Sequence, residues 1–237
     1  MHHKQYPPNG THVNTMSVLT IAEENHLKSI YHLLARGDEA GTNAIARAIQ
    51  TKPASVTDML KKLAEKKLIS YEKYQGVSLT RKGHSMALSI IRKHRLWEYF
   101  LVEKLHFKWD EVHEIAEQLE HIRSEVLIDR LDDFLGNPTH DPHGDPIPDK
   151  EGKVCACSEP CLLDIPLNTQ VKITAVKNDT ASFLKHLEKL GLTLGKIFRI
   201  TERHEYDGSV EVQANDRRVL VSKEVACNLM VTEQKKK

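Results

Sequence analysis

The sequence predicts a mainly α-helical protein with small β parts. Residues 17–83 show three short amphipathic helices followed by a β-hairpin, the order of a winged helix-turn-helix. A long helical region follows over residues 84–136, and short alternating strands begin after residue 161. These three observations predict a DNA-binding module, a helical domain and a small C-terminal β-barrel.

The N-terminal module is defined by its start and turn signals. The predicted elements are a helix over 17–36, a short helix capped by Thr42 and Asn43, a helix that begins near Pro53, and a hairpin from Leu68 to Thr80 that turns at Gln75 and Gly76. Proline fits at the first helical position because its missing N–H needs no partner there. The third helix would be the recognition helix of the winged domain.

In the rest of the chain the predicted structure changes from helices to a loop segment and then to strands. Helices are predicted over 85–105, from Trp109 to about His121, and over 125–135, before a segment rich in Pro and Gly at 137–153. The C-terminal part carries predicted strands at 171–173, 197–200, 210–212 and 218–221, and a helix at 182–190. We therefore expect a disordered tail over 1–16, a winged helix-turn-helix over 17–83, a helical domain over 84–136, a linker over 137–161, a β domain over 162–232 and a tail over 233–237.

The amino-acid composition limits the cellular compartment and the kinds of partner that we expect. The sequence contains no apolar run long enough for a transmembrane helix, so no membrane partner is expected. Four cysteines in 237 residues do not form a disulfide scaffold, which predicts a reduced, cytoplasmic protein. Cys155, Cys157 and Cys161 cluster without the C-x2-C spacing of a zinc ribbon; linker thiols and a metal clip both stay open.

Charge is segregated along the chain. Residues 17–83 hold 11 basic and 7 acidic side chains, whereas residues 94–136 hold 5 basic and 11 acidic ones. A basic module before an acidic, histidine-bearing one indicates an anion-binding part joined to a cation-binding part.

The basic module predicts binding of double-stranded DNA. Hydroxyls and basic side chains on a recognition helix and its wing reach bases and phosphates. The candidates are Lys52, Ser55, Thr57, Asp58, Lys61, Lys62, Lys73, Tyr74 and Arg81. Because one winged domain has a small footprint, a homodimer that contacts two half-sites is expected.

The acidic module predicts a divalent metal site. At about 100° per residue, His113, Glu117, Glu120 and His121 share an arc of about 100° on one helix. His94 and Glu98 repeat the pattern at i, i+4. Imidazole and carboxylate without thiolate favour Mn²⁺, Fe²⁺ or Zn²⁺ over Cu⁺.

Nothing in the sequence indicates catalysis. It shows no nucleophile–base arrangement, no phosphate-binding glycine loop and no HExxH motif. We therefore expect a protein that is not an enzyme and has no small-molecule substrate beyond metal ions. Two alternatives stay open: a metal-independent winged-helix regulator with a structural His/Glu cluster, and a metallohydrolase that uses the same face.

Over about residues 17–232 the chain resembles the diphtheria toxin repressor family of metal-dependent transcriptional regulators, including its manganese-sensing branch. The resemblance rests on the motifs ENHLKSIY at 24–31, PASVT at 53–57, YEKYQGVSLT at 71–80, RKHRLWE at 92–98, HEIAEQLEH at 113–121 and PHGDPIP at 142–148. It implies a helical domain that dimerises and holds the metals, and an SH3-like (FeoA-like) C-terminal domain.

The resemblance also implies two metal sites. A primary site matches Asn25, Glu117, Glu120 and His121, and an ancillary site matches His94, Glu98 and His113. Three residues depart from the family pattern. Glu117 stands where the iron branch has Cys, Asn25 where Met or Asp is typical, and Lys28 where the manganese branch has a carboxylate.

The function so implied is that of a repressor. It would bind operator DNA as a dimer when Mn²⁺ or Fe²⁺ occupies its sites and control genes of metal-ion homeostasis. Zn²⁺ or other divalent ions could replace these metals in vitro.

Overall fold

The computed structural model describes residues 19–72, 76–155, 159–214 and 217–234. The chain divides into two compact units between His84 and Ser85. Within the described residues no helix is long and apolar enough to cross a membrane.

The first unit contains three helices and a hairpin. Its elements are α1 (Ile21–Ala35), α2 (Thr42–Ala48), α3 (Pro53–Glu65), β1 (Ile69–Glu72) and β2 (Gly76–Leu79). Thr20 and Glu23 form a capping box at the start of α1, so two of its first N–H groups are satisfied. The N-cap of α2 is Gly41, and Thr42 lies inside the helix, so the predicted capping residues are wrong.

The helices and the hairpin of this unit share one apolar core. Side chains from all three helices and from the first strand are fully or almost fully buried: Leu27, Ile30, Ile45, Val56, Leu60, Leu63, Leu68 and Ile69. The strands are antiparallel, with Ile69 opposite Leu79. The predicted winged helix-turn-helix is therefore confirmed, while the predicted turn residue Gln75 lies outside the described residues.

The next helix begins against this hairpin. Helix α4 spans Arg81–Leu105, and the hydroxyl of Thr80 accepts a hydrogen bond from the N–H of Gly83 at 3.0 Å. A Cβ atom at Gly83 would lie 1.9 Å from the carbonyl oxygen of Leu68. The absence of a side chain at Gly83 thus permits a close backbone approach.

Two further helices, α5 (His113–Leu119) and α6 (Glu125–Leu135), accompany α4 in the second unit. Their shared core consists of Leu96, Trp97, Ala116, Ile128, Leu131, Leu135 and Ile147. Helix α5 ends two residues before the predicted His121. Glu120 is the C-cap and keeps helical angles of φ −61° and ψ −20°. The predicted helical face therefore extends to Glu120, while His121 lies beyond the end of the helix.

Of the segment predicted as a linker, residues 137–155 form a loop that packs within the second unit. Asp141, His143 and Ile147 are buried in it. The guanidinium of Arg92 donates to the carbonyl of Pro148 at 3.0 Å, and that of Arg95 to the carboxylate of Asp145 at 2.8 Å. These contacts attach the loop to α4.

The C-terminal part is a five-stranded antiparallel sheet. Its strands are β3 (Gln170–Val176), β4 (Ile197–Arg203), β5 (Val210–Ala214), β6 (Arg217–Val221) and β7 (Leu229–Glu233), in the order β6-β5-β4-β3-β7. The helices α7 (Ala181–Leu190) and α8 (Lys223–Cys227) complete it. The four predicted strands and α7 are confirmed, whereas α8 and β7 were not predicted.

The sheet does not close into the predicted barrel. Strands β6 and β7 stand at its two edges, and within the described residues no ladder joins them. Alternate side chains of the strands form the core with α7, as expected for a sheet with one buried face. The core includes Val171, Ile173, Phe198, Ile200, Val210, Val212, Val219, Val221, Leu229 and Val231.

Candidate metal centre and DNA-binding surface

Helix α4 presents an imidazole and a carboxylate on successive turns. His94 and Glu98 are four residues apart, so their side chains lie on one face. The Nε2 atom of His94 is 3.0 Å from Oε1 of Glu98. The Glu98 side chain is only 2% exposed, which makes an unneutralised charge there costly.

Helix α5 adds a third donor to this pair. The Nδ1 atom of His113 lies 3.4 Å from the same Oε1 atom of Glu98. The donor atoms of His94, Glu98 and His113 all lie within 4.8 Å of one another. The structure thus brings together the three residues predicted for the ancillary site.

A second cluster begins on the other side of the His94 ring. Nδ1 of His94 is 2.6 Å from Oε2 of Glu120, whose side chain is fully buried. Donor atoms of His94, Glu117 and Glu120 lie within 4.8 Å of one another. His121 follows, with Nε2 3.9 Å from Oε1 of Glu120. Three of the residues predicted for the primary site are therefore neighbours, and His94 contacts both clusters.

The fourth residue predicted for the primary site, Asn25, lies on α1 in the first unit. Its Oδ1 atom is buried and has no hydrogen-bond partner within the part of the chain that the structure describes. A buried carbonyl oxygen without a donor is costly, and a cation can satisfy it. The donor set of both sites, nitrogen and oxygen without thiolate, therefore fits Mn²⁺ or Fe²⁺.

Electrostatics at Glu98 favour its charged form. Burial raises the pKa of this carboxyl, but His94, His113 and His143 outweigh burial and hold the pKa well below its usual range. A carboxylate that is already ionised needs to lose no proton before it binds a cation.

A third cluster was not predicted from the sequence. Donor atoms of Glu98, Asp141 and His143 lie within 4.8 Å of one another, and all three residues are buried. Nδ1 of His143 is 3.5 Å from Oε2 of Glu98, and its Nε2 is 2.8 Å from the carbonyl oxygen of Trp109. Burial lowers the pKa of His143, but the contact with Glu98 outweighs it and raises the pKa to about 9. Burial also raises the pKa of Asp141, to about 7, with the charge of Glu98 adding to the effect.

The sequence contained a partial signal for this third cluster. The PHGDPIP motif contains this histidine, but its Pro and Gly residues indicate only a loop. His143 is 45 positions from Glu98 in sequence, so no local period joins them.

The predicted DNA-binding residues lie on the exposed surface of the first unit where the structure describes them. Lys52, Ser55, Asp58, Lys61, Lys62 and Arg81 are exposed. Asp58 pairs with Lys61 at 3.3 Å, and the Thr57 hydroxyl donates to the carbonyl of Pro53, leaving only its lone pairs for another partner. Lys73 and Tyr74 lie outside the described residues.

Three protein-family models match successive parts of the chain. The iron dependent repressor N-terminal DNA binding domain matches residues 18–77, and the iron dependent repressor metal binding and dimerisation domain matches residues 80–149. The FeoA domain matches residues 161–233.

Individual relatives agree with these matches. The transcriptional regulator MntR of Lysinibacillus sphaericus is 34% identical over 116 residues, which cover 49% of this chain and 83% of that protein. The chain belongs to the diphtheria toxin repressor family of metal-dependent transcriptional regulators. The solved structure of a manganese-dependent transcriptional repressor in complex with manganese matches with a TM-score of 0.80 and 31% identity, over 90% of this chain and all of the other.

The family assignment confirms the resemblance found in the sequence. The iron-dependent repressor IdeR of Mycobacterium leprae is also similar, with 35% identity over 133 residues, or 56% of this chain. That alignment spans 58% of the relative's length. Relatives of this family member thus include proteins named for iron and proteins named for manganese.

Proposed function

We propose that this family member represses transcription by binding operator DNA as a homodimer when Mn²⁺ or Fe²⁺ occupies its sites. The observation that carries the proposal is the pair of nitrogen- and oxygen-donor clusters that share His94 in the second unit. We assign DNA binding to residues 17–83, metal binding and dimerisation to 84–136, and the FeoA-like domain to 162–232.

Two sets of residues are proposed as ligands. The ancillary set is His94, Glu98 and His113, and the primary set is Asn25, Glu117, Glu120 and His121. A bound dication supplies the positive charge that lets buried carboxylates lie side by side. Asn25 contributes its oxygen from the DNA-binding module, so occupancy of the primary site favours one arrangement of that module over others.

The identity of the metal follows from donor chemistry. Glu117 supplies a hard oxygen donor, which favours Mn²⁺ or Fe²⁺ over softer ions, while Zn²⁺ and other divalent ions remain possible in vitro. Relatives named for manganese and for iron support the same pair of metals. The genes under control would then be those of metal-ion homeostasis.

Homodimerisation is supported by an apolar face on α6. The side chains of Val126, Leu127 and Phe134 are exposed by 60%, 41% and 65%. They lie within about 100° of one another around the helix. Large exposed apolar patches mark interaction sites, and we assign this one to a second copy of the chain.

Double-stranded DNA is the proposed partner of the first unit. The basic residues Lys52, Lys61, Lys62 and Arg81, together with Lys73 and Tyr74, would contact phosphates, while Ser55, Thr57 and Asp58 are candidates for base contacts. We propose no catalytic role, because metal binding alone accounts for the clustered His and Glu side chains. Such a regulator acts where the operator is, in the cytoplasm.

Metal-dependent DNA binding tests this proposal. Duplexes of random sequence would be selected with the full chain and Mn²⁺, and the selected duplex would then be titrated at fixed salt with Mn²⁺, Fe²⁺ or chelator. We expect tight binding with either metal and weak binding with chelator. Equal binding under all conditions would instead support a metal-independent regulator with a structural His/Glu cluster.

A further inference from the structure

The outward face of α3 has an acidic and a basic side chain at its centre. The buried stripe of the helix consists of Val56, Leu60 and Leu63. At about 100° per residue, four residues form a line on the opposite side of the helix, and all of them are exposed: Ala54, Asp58, Lys61 and Glu65. A recognition helix turns this side toward the major groove, so these four positions are the ones that meet the DNA most directly.

Asp58 and Lys61 form an ion pair on this line. Nζ of Lys61 donates to Oδ1 of Asp58 at 3.3 Å, although the two side chains are 62% and 73% exposed. The pair therefore presents an acceptor and a donor side by side on the surface of the helix. Ala54, one turn earlier, carries only a methyl group, which lets a flat surface approach the pair closely.

A base pair offers the complementary combination along its major-groove edge. Cytosine exposes the N4 donor next to the O6 acceptor of guanine, and these atoms are about 2.9 Å apart because they hydrogen-bond to each other. That separation is close to the 3.3 Å between the head groups of Asp58 and Lys61. The phosphates repel a carboxylate, so a base edge is the part of the duplex that Asp58 can bind.

The four possible base pairs differ in how well they fit this ion pair. With the base that faces Asp58 written first, C·G and A·T both offer a donor to the carboxylate, whereas G·C and T·A oppose it with an oxygen that only accepts. Lys61 separates the first two. Guanine offers it both O6 and N7, while thymine offers O4 beside a methyl group. C·G is therefore the best match, A·T is second, and the reversed pairs are rejected.

We infer that Asp58 is a specificity-determining residue, whose carboxylate accepts from N4 of a cytosine while Lys61 donates to the guanine paired with it. The inference rests on the proposed function and names a base pair that α3 reads in each half-site. Of the basic residues proposed for DNA contacts, Lys61 is then directed to a base by its partner Asp58. The others stay available to phosphates, whose contacts carry no sequence information.

Four duplexes and a matched pair of variants test this inference. The duplex selected by the full-length wild type with Mn²⁺ would be varied one base pair at a time, and Kd would be measured by fluorescence anisotropy at fixed salt. At one position of each half-site, the wild type should bind C·G about 5–150-fold more tightly than G·C or T·A. Asp58→Asn should prefer A·T there, because an amide binds N6 and N7 of adenine. Glu65→Gln, the same loss of charge two turns along the same line, should keep the preference for C·G.

The Lys61 side of the pair has its own readout. Lys61→Ala should still favour C·G and A·T over the reversed pairs but lose the difference between C·G and A·T. Loss of all preference in this variant would contradict an independent base contact from Asp58. Circular dichroism would verify that the variants, all at exposed positions, are folded.

The alternative is that Asp58 only neutralises Lys61. Asp58→Asn would then change the affinity for every duplex by the same factor, and an unchanged base preference overturns the inference alone. If the full-length wild type selects no duplex with Mn²⁺, the proposed function and this inference fail together.

Discussion

Glu120 is the more deeply buried of the two carboxylates in the proposed primary set. Its side chain is fully buried, and its two oxygens face His94 and His121. Burial of a carboxylate at this position costs less free energy because imidazole groups lie next to both of its oxygens.

Glu120→Gln should weaken Mn²⁺ binding by at least about tenfold, because a neutral amide loses the charge that balances the ion. Glu114→Gln, an exposed position on the same helix, should leave it unchanged. Calorimetric titration of both full-length variants provides the comparison. Wild-type affinity in the Glu120 variant would contradict its assignment as a ligand.

At the scale of elements, a buried ion pair joins α4 and α6. Arg92 contacts Asp132 at 2.8 Å, and their side chains are 9% and 7% exposed. Removing one partner leaves the other charge buried, at a cost of about 3–5 kcal/mol. The pair therefore holds α6 against α4.

We expect Asp132→Ala to lower the free energy of unfolding by about 3–5 kcal/mol. The matched control is Asp129→Ala, which removes a half-exposed pair with Lys150 at 3.4 Å. Exposed pairs contribute about 1 kcal/mol or less. Urea titrations followed by circular dichroism would measure both; similar losses in the two variants would contradict the role of burial.

The start of α4 depends on the missing side chain of Gly83. In Gly83→Ala, the new Cβ would collide with the Leu68 carbonyl, and we expect a lower melting temperature despite the higher helix propensity of Ala. Ser85→Ala, at an exposed position of the same helix, reports the propensity effect without the collision. A Gly83 variant as stable as the Ser85 variant would show that the hairpin adjusts freely.

At the scale of the whole molecule, DNA binding should depend steeply on salt. Each phosphate contact releases counterions and adds about 0.9 to the slope of log affinity against log salt. Lys62→Ala on α3 should lower this slope by about 0.9. Lys189→Ala, an exposed lysine on α7, should not change it, and equal slopes for both variants would remove Lys62 from the interface.

The sequence predicted those features that depend on spacings of a few residues along the chain. The helices, the hairpin and the contact between His94 and Glu98 all follow from spacings of two to four residues. Contacts that depend on the path of the chain were not predictable, as for His143, whose partner Glu98 is 45 positions away.

The donors of the ancillary set differ in their access to water. The side chain of His113 is 46% exposed, while those of His94 and Glu98 are 11% and 2% exposed. An ion that binds the proposed ancillary set would therefore meet His113 first on entry and leave it last on exit. The rate of metal exchange, as distinct from the affinity for metal, should accordingly depend on how fast the exposed His113 side chain moves away from the ion.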